Sequence, residues 1–274
     1  MMLRGAIAAL LAAVAGVVAL PASAQDADSP EIRFCPNRPS LGATGCTTLP
    51  GQVQLEVAGI DWQRDDDGET REDLVQFAQV TARIGATRHS EFQFTWTPIA
   101  ALRTRDIATG QVDHITGSGD VTLGWQRSIS HPDGKKLSAA IQPYVTLPTG
   151  RSGIGAGDWA AGAVLPVYWE IDQHWSLDFT GQAAAAVDED GSGRHFDATG
   201  VVGVGYALTE KVTATAEFSV ERDLDPAGHV VRTLAAASVA WRTTDRTQLD
   251  VLAVAGLNHD APDARVSIGG AVLF

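Results

Sequence analysis

Two cysteines are all that this 274-residue sequence contains, basic residues are in deficit, and beyond the first two dozen positions no long uncharged apolar run occurs. Each shortage excludes something. With no second cysteine pair and no histidine close to Cys35 and Cys46, the four-ligand zinc frames lack their donors. Without a further apolar run, helical membrane spans are excluded. Twenty Lys and Arg against 33 Asp and Glu leave a net charge of −13, which argues against nucleic acid held on a basic surface.

What is present begins with a compartment. Arg4, an apolar stretch from Gly5 to Leu20 and the small residues Ala22, Ser23 and Ala24 read as a secretory signal peptide over 1–24. A retained anchor is the alternative, weakened by Gly16 and Pro21. Residues 25–50 are expected to form a periplasmic segment. In an oxidising compartment Cys35 and Cys46 are expected to pair and close a small loop around Pro36, Pro39, Gly42 and Gly45.

Residues 51–274 alternate with period two, so the fold class is all-β. Strands are predicted at 51–62, 74–84, 91–97, 119–129, 137–147, 159–171, 175–187, 196–208, 212–221, 230–241, 249–257 and 266–274. Phe92, Phe94 and Trp96 against Glu91, Gln93 and Thr95 show the alternation clearly. A change of phase at Gly59 suggests a bulge. Residues 64–73 and 101–118 are read as polar loops.

Twelve strands suit an antiparallel up-and-down transmembrane β-barrel, since bacterial membrane barrels favour even counts. With the amino terminus periplasmic, one set of connections is short, as at 86–90, 131–136 and 172–174. The other is longer and acidic, with Asp65, Asp188, Asp190, Asp223 and Asp260. Trp169, Trp175, Tyr206, Trp241 and Phe274 fall at one rim, and Trp62 and Trp159 at the other, as interfacial girdles would. A soluble periplasmic barrel has the same period with its faces reversed, so alternation alone leaves that reading open.

Three stretches carry a family resemblance: 119–124 (GDVTLG), 143–150 (PYVTLPTG) with its glycine-rich loop, and an ending with Leu249, Asp250, 256–258 (GLN), Pro262, Asp263, Gly269 and Phe274. In order and spacing they resemble the MetA-pathway of phenol degradation family of outer-membrane transporter-like proteins. The resemblance implies an outer-membrane barrel that admits small, aromatic or hydrophobic molecules. Terminal Phe274 resembles the signal read by the barrel-assembly machinery. The cysteine loop has no place in the family pattern.

Arg83, Glu91, Asp120, Gln142, Glu170, Asp178, Glu217, Arg232, Asp250 and Arg265 fall on the inward face and are the candidate pore-lining residues. They form either a charge network that plugs the lumen or a polar path favouring cations and neutral solutes. Catalysis has one motif to offer, His174-Trp175-Ser176, which resembles the catalytic pair of the outer-membrane phospholipase but lies at a periplasmic turn. His114, His195, His229 and His259 sit on outer loops beside acids; solvated side chains are the plain reading, and a base or a metal ligand the sharper one. No cofactor is implied. The expected partners are outer-membrane lipid with lipopolysaccharide, the assembly machinery and a small solute. The competing functions are an outer-membrane enzyme and a structural or adhesive barrel.

Overall fold

The structure is a computed structural model that describes residues 31–274; the expected signal peptide lies outside the described residues. Fourteen strand segments follow one another: β1 (Val53–Asp66), β2 (Thr70–Thr87), β3 (Ser90–Trp96), β4 (Ile99–Asp106), β5 (Val112–Gly117), β6 (Val121–Ser130), β7 (Leu137–Leu147), β8 (Ala160–Glu170), β9 (Trp175–Val187), β10 (Arg194–Thr209), β11 (Val212–Asp225), β12 (Gly228–Thr244), β13 (Thr247–Gly256) and β14 (Ala264–Leu273).

Around the wall they make twelve. β2 pairs with β3 along its second half and with β4 along its first, so β3 and β4 are one barrel strand interrupted at Thr97 and Pro98. β5 and β6 are likewise one strand, broken at 118–120, because β5 pairs with β4 and β6 with β3. Pro98 has no N–H to offer a ladder. Pairing of β1 with both β2 and β14 closes the barrel, and among the described strands β5, which pairs with β4 alone, keeps a free edge.

The two faces are inverted relative to a soluble protein. Large apolar side chains such as Ile60, Phe92, Trp125, Ile129, Phe179 and Ile268 are exposed on the outer wall. Arg83, Gln54, Gln126 and Glu91 are the largest fully buried side chains, and all point inward. This sense of alternation is that of a barrel whose outside meets lipid, and it removes the soluble reading. Trp159, Trp169, Trp175 and Trp241 stand exposed on the wall at the predicted rims.

The register shifts between Ala58 and Ile60, where the phase change at Gly59 placed a bulge. Opposite it on β2, Ala78 takes φ 53°, and lipid-facing side chains change parity between Phe77 and Ile84. Val75 and Phe77 are already out of phase with Val80 and Ile84 in the sequence, a break that the strand predicted at 74–84 did not mark.

Both polar loops are corrected. Residues 101–118 form the hairpin of β4 and β5, and within 64–73 the strands run to Asp66 and resume at Thr70. β10, β11 and β12 reach 16, 14 and 17 residues, well beyond the 9–11 that a bilayer crossing needs. Above the membrane neither face meets lipid, so the ladder continues with polar residues on both sides and the apolar period that marks a strand disappears.

A barrel of eight strands is filled by its own side chains, and twelve enclose more room. That room holds residues 32–50. The expectation of a periplasmic segment is corrected here: the chain turns up into the barrel, packed against buried inward side chains.

Candidate functional site in the barrel lumen

The segment rises along β1 with a constant offset. The N–H groups of Arg33, Cys35 and Asn37 donate to Oε1 of Gln52, Gln54 and Glu56, each nineteen residues later, at 3.4, 3.2 and 3.1 Å. The match is possible because every second side chain of a strand faces the lumen. An extended chain running parallel to β1 therefore meets an acceptor at each of its own alternate amides.

At the top the segment is held from across the barrel. Arg38 donates to Asp250 Oδ1 at 2.8 Å and to Ser267 Oγ at 3.1 Å. Glu217 accepts from Ser40 Oγ at 2.6 Å and from the Leu41 amide at 3.1 Å. The Ala43 amide donates to Thr180 Oγ1 at 2.9 Å. Leu41 packs beside Leu234 on Ala236, Leu252 and Val254, one apolar patch in the interior, and Phe34 packs on Ala271 and Leu273 in another.

The descending limb returns along β3, β6 and β7. Gln126 Nε2 donates to the carbonyls of Thr44 and Cys46 at 3.0 and 2.8 Å, and Glu91 accepts from the Thr48 amide at 2.6 Å. Gly45 passes so close to β7 that a Cβ there would stand 2.9 Å from the Ala139 nitrogen. A larger residue would push the limb off the wall.

Two links join the limbs at their base. One is the disulfide between Cys35 and Cys46, Cα atoms 6.3 Å apart. The other is Arg83, fully buried, whose Nη1 and Nη2 donate to the carbonyls of those same two cysteines at 2.7 Å each. Its Nε meets Glu91 at 2.7 Å and its Nη1 meets Glu56 at 3.3 Å. One guanidinium thus joins both limbs to β1 and β3, which its planar fork of donors allows and an ammonium would not. Closing a loop of eleven residues is worth about 3 kcal/mol in the chain-entropy model. Replacing both cysteines by serine is expected to leave the barrel intact and to raise amide hydrogen exchange across 32–50; unchanged protection there would show that Arg83 alone suffices.

The candidate pore residues sort accordingly. Arg83, Glu91, Glu217 and Asp250 are spent on the segment. Gln142 and Asp178 face the lumen from β7 and β9, each with an oxygen buried and without a hydrogen-bond partner among the described residues. Asp120 lies in the gap between β5 and β6 and accepts the amides of Gly150 and Ala156 at 2.7 and 2.8 Å, holding the glycine-rich loop. Glu170 is exposed at the periplasmic rim, accepting the Lys136 amide at 3.1 Å. Arg232 pairs with Glu221 and Asp223 near the outer mouth, and Arg265 with Asp61 at 2.8 Å. Gln54, Glu56, Gln126 and Thr180 were not singled out, although each occupies the polar phase of its strand.

Among the described residues the outer histidines do not gather at one ligand centre: His114, His229 and His259 are exposed, and of the four only His195 falls in a cluster of ligand atoms. His195 is buried among Asp188, Asp223 and Asp225. Asp225, at the tip of β11, is held below the usual carboxylate range by the Ala227 amide, with the Glu189 amide and His195 adding to it. His174 stacks its ring on Tyr206 at 6.0 Å.

Residues 36–274 match the family described as Putative MetA-pathway of phenol degradation, a span that begins inside the lumen segment and so includes most of the cysteine loop. No curated protein matches the chain in sequence. Among solved structures, the transport unit of the autotransporter AIDA-I from Escherichia coli is 10% identical with a TM-score of 0.54, over 87% of this chain and 92% of that one. The NanC porin is 9% identical with a TM-score of 0.49, over 80% and 98%. The CymD monoaromatic hydrocarbon channel is 8% identical with a TM-score of 0.46, over 83% and 89%. The first of these shows a shared outer-membrane barrel fold and nothing finer.

Proposed function

The chain belongs to the Putative MetA-pathway of phenol degradation family, and on that premise we propose that it is an outer-membrane channel for small aromatic or hydrophobic molecules, stoppered by its own residues 32–50. The observation that carries this reading is what fills the lumen. A barrel with a purely structural role can fill its interior with side chains of its strands; here the filler is a separate length of chain. At its tip it is held by side-chain hydrogen bonds from Glu217, Thr180 and Asp250, each worth about 1–3 kcal/mol.

Release of the tip would leave a path lined by Gln142, Tyr144, Asp178 and Gln182 on one side and by the apolar patch of Leu252 and Val254 on the other. Such a lining suits a solute with a flat apolar body and a polar handle, and the excess of carboxylates disfavours anions. The protein would reach the outer membrane after loss of 1–24, with Phe274 presented to the assembly machinery and lipopolysaccharide packed around the outer girdle. We read it as a conduit and not an enzyme.

Liposomes containing the refolded mature protein test this, with a simple phenolic, an organic cation, a neutral sugar and an anion each compared with protein-free bilayers. Entry of the phenolic and the cation above background is expected, rising several-fold when the tip is loosened by Glu217→Gln with Asp250→Asn. Absence of entry in both proteins, with strand content and insertion confirmed, would sink the channel.

A further inference from the structure

At the outer end of the barrel, His195 on β10 is the centre of a charge cluster that the conduit does not use. Its side chain is 6% exposed. Nδ1 lies 3.0 Å from Asp188 Oδ1 and 3.3 Å from Asp225 Oδ2, and Nε2 lies 2.9 Å from Asp223 Oδ1. Every one of these neighbours is a carboxylate oxygen, which can only accept.

A neutral imidazole has one N–H and one lone pair. Asp223 is fixed in place by Arg232, whose Nη1 lies 3.1 Å from its second oxygen. Whichever nitrogen carries the one proton, the other faces only acceptors; with the proton on Nε2, toward Asp223, that other nitrogen is Nδ1. The Nδ1 lone pair is then buried and aimed at two carboxylate oxygens with no donor among them. Something positive must stand between them, either a second proton on the ring or a metal ion.

Three observations favour the metal. The ligand atoms of Asp188, His195 and Asp225 all lie within 4.8 Å of one another. A tetrahedral ion with bonds of about 2.0–2.2 Å holds its donor atoms about 3.3 Å apart, which the 3.0 and 3.3 Å separations at Nδ1 nearly reproduce. And Asp223 on the far nitrogen completes the carboxylate–histidine–metal relay that orients ligating imidazoles. Charge points the same way: Asp197 and Glu221 adjoin Asp223 in a second carboxylate group, and Arg232 pairs with two of those three acids.

We propose that Asp188, His195 and Asp225 bind a divalent transition-metal ion of the zinc class, with Asp223 as the positioning residue for His195. The mixed nitrogen and oxygen donors suit such an ion better than magnesium or calcium, which prefer oxygen alone. Asp188 belongs to the turn between β9 and β10, and Asp225 is the last residue of β11, at the β11–β12 hairpin. The ion therefore ties two outer hairpins together at the mouth.

Isothermal titration of the refolded mature protein in micelles with zinc at neutral pH, and with manganese and calcium for comparison, tests the site. One equivalent of zinc is expected to bind, with calcium far weaker. His195→Gln and Asp188→Asn each weaken it by about tenfold or more, Asp223→Asn does so while stoichiometry is kept, and His259→Gln, an exposed histidine, leaves it unchanged. Zinc-edge absorption of the wild-type complex gives a readout independent of variant folding, with one imidazole nitrogen in an otherwise oxygen shell. No stoichiometric zinc on the wild type, or equal binding by His195→Gln, overturns the proposal and leaves His195 as a protonated ring alone.

Discussion

Replacing Arg83 with methionine is expected to cost about 3–5 kcal/mol of stability, the range for removing one member of a buried ion pair. Methionine matches the length of the stem, so the change removes the charged head and its donors and keeps the packing of the stem. Glu56 and Glu91, 3% and 0% exposed, would be left as carboxylates facing each other without a cation, and the carbonyls of Cys35 and Cys46 would lose their donors. Urea unfolding of the barrel in micelles reads the total, and hydrogen exchange on 32–50 reads where it falls. A triple variant, Arg83→Met with Glu56→Gln and Glu91→Gln, separates the two parts of the cost. Removing the orphaned charges is expected to restore most of the barrel's stability, because a buried pair replaced as a whole is often close to neutral. It is not expected to restore protection of 32–50, since the amides of Asn37 and Arg38 donate to Glu56 and that of Thr48 to Glu91. A loss below about 1 kcal/mol in the single variant would mean that water reaches the site and that the pair is of the weak, solvated kind.

Glu56 and Glu91 also show what was legible in the sequence. The barrel was legible because lipid imposes a strict alternation: Phe92, Phe94 and Trp96 must face out, so Glu91 and Gln93 must face in. The bulge at Gly59 was legible for the same reason, since a slip of one residue inverts the pattern. The hairpin of β4 and β5 was not, because outside the membrane both faces meet water and the period carries no signal. Nor was the lumen segment, for a different reason. Residues 32–50 have no period of their own, and their order comes from side-chain acceptors on β1, β3, β9, β11, β13 and β14 and donors on β2, β6 and β12. Of the inward charges named from the sequence, Arg83, Glu91, Glu217 and Asp250 touch another part of the chain, which the period of their own strands could not show. His195 was legible only as one of four outer histidines; the turns that carry Asp188 and Asp225 to it have no sequence period at all.

Locking the tip of the segment to the wall is expected to abolish passage. A Cβ at Gly42 would stand 3.2 Å from the Cβ of Thr180, and a disulfide wants about 3.5–4.5 Å, so Gly42→Cys with Thr180→Cys can close after a shift of a few tenths of an ångström. Ala43 already donates to Thr180 at 2.9 Å, so the bond would hold the segment where it rests. Oxidised, the variant should admit solute no faster than a protein-free bilayer. Reduced, it should pass solute at least as fast as the wild type, since Thr180→Cys also removes the hydroxyl that accepts the Ala43 amide. Reductant also opens Cys35–Cys46, so the wild type treated identically is the reference, and mass mapping of the oxidised variant confirms that the native pair has not exchanged. Passage at the wild-type rate through the oxidised form would place the solute's route beside a seated segment, along Gln142, Tyr144 and Asp178. The segment would then be a fixed wall of the pore, and Glu217 and Asp250 would set its bore and not its opening.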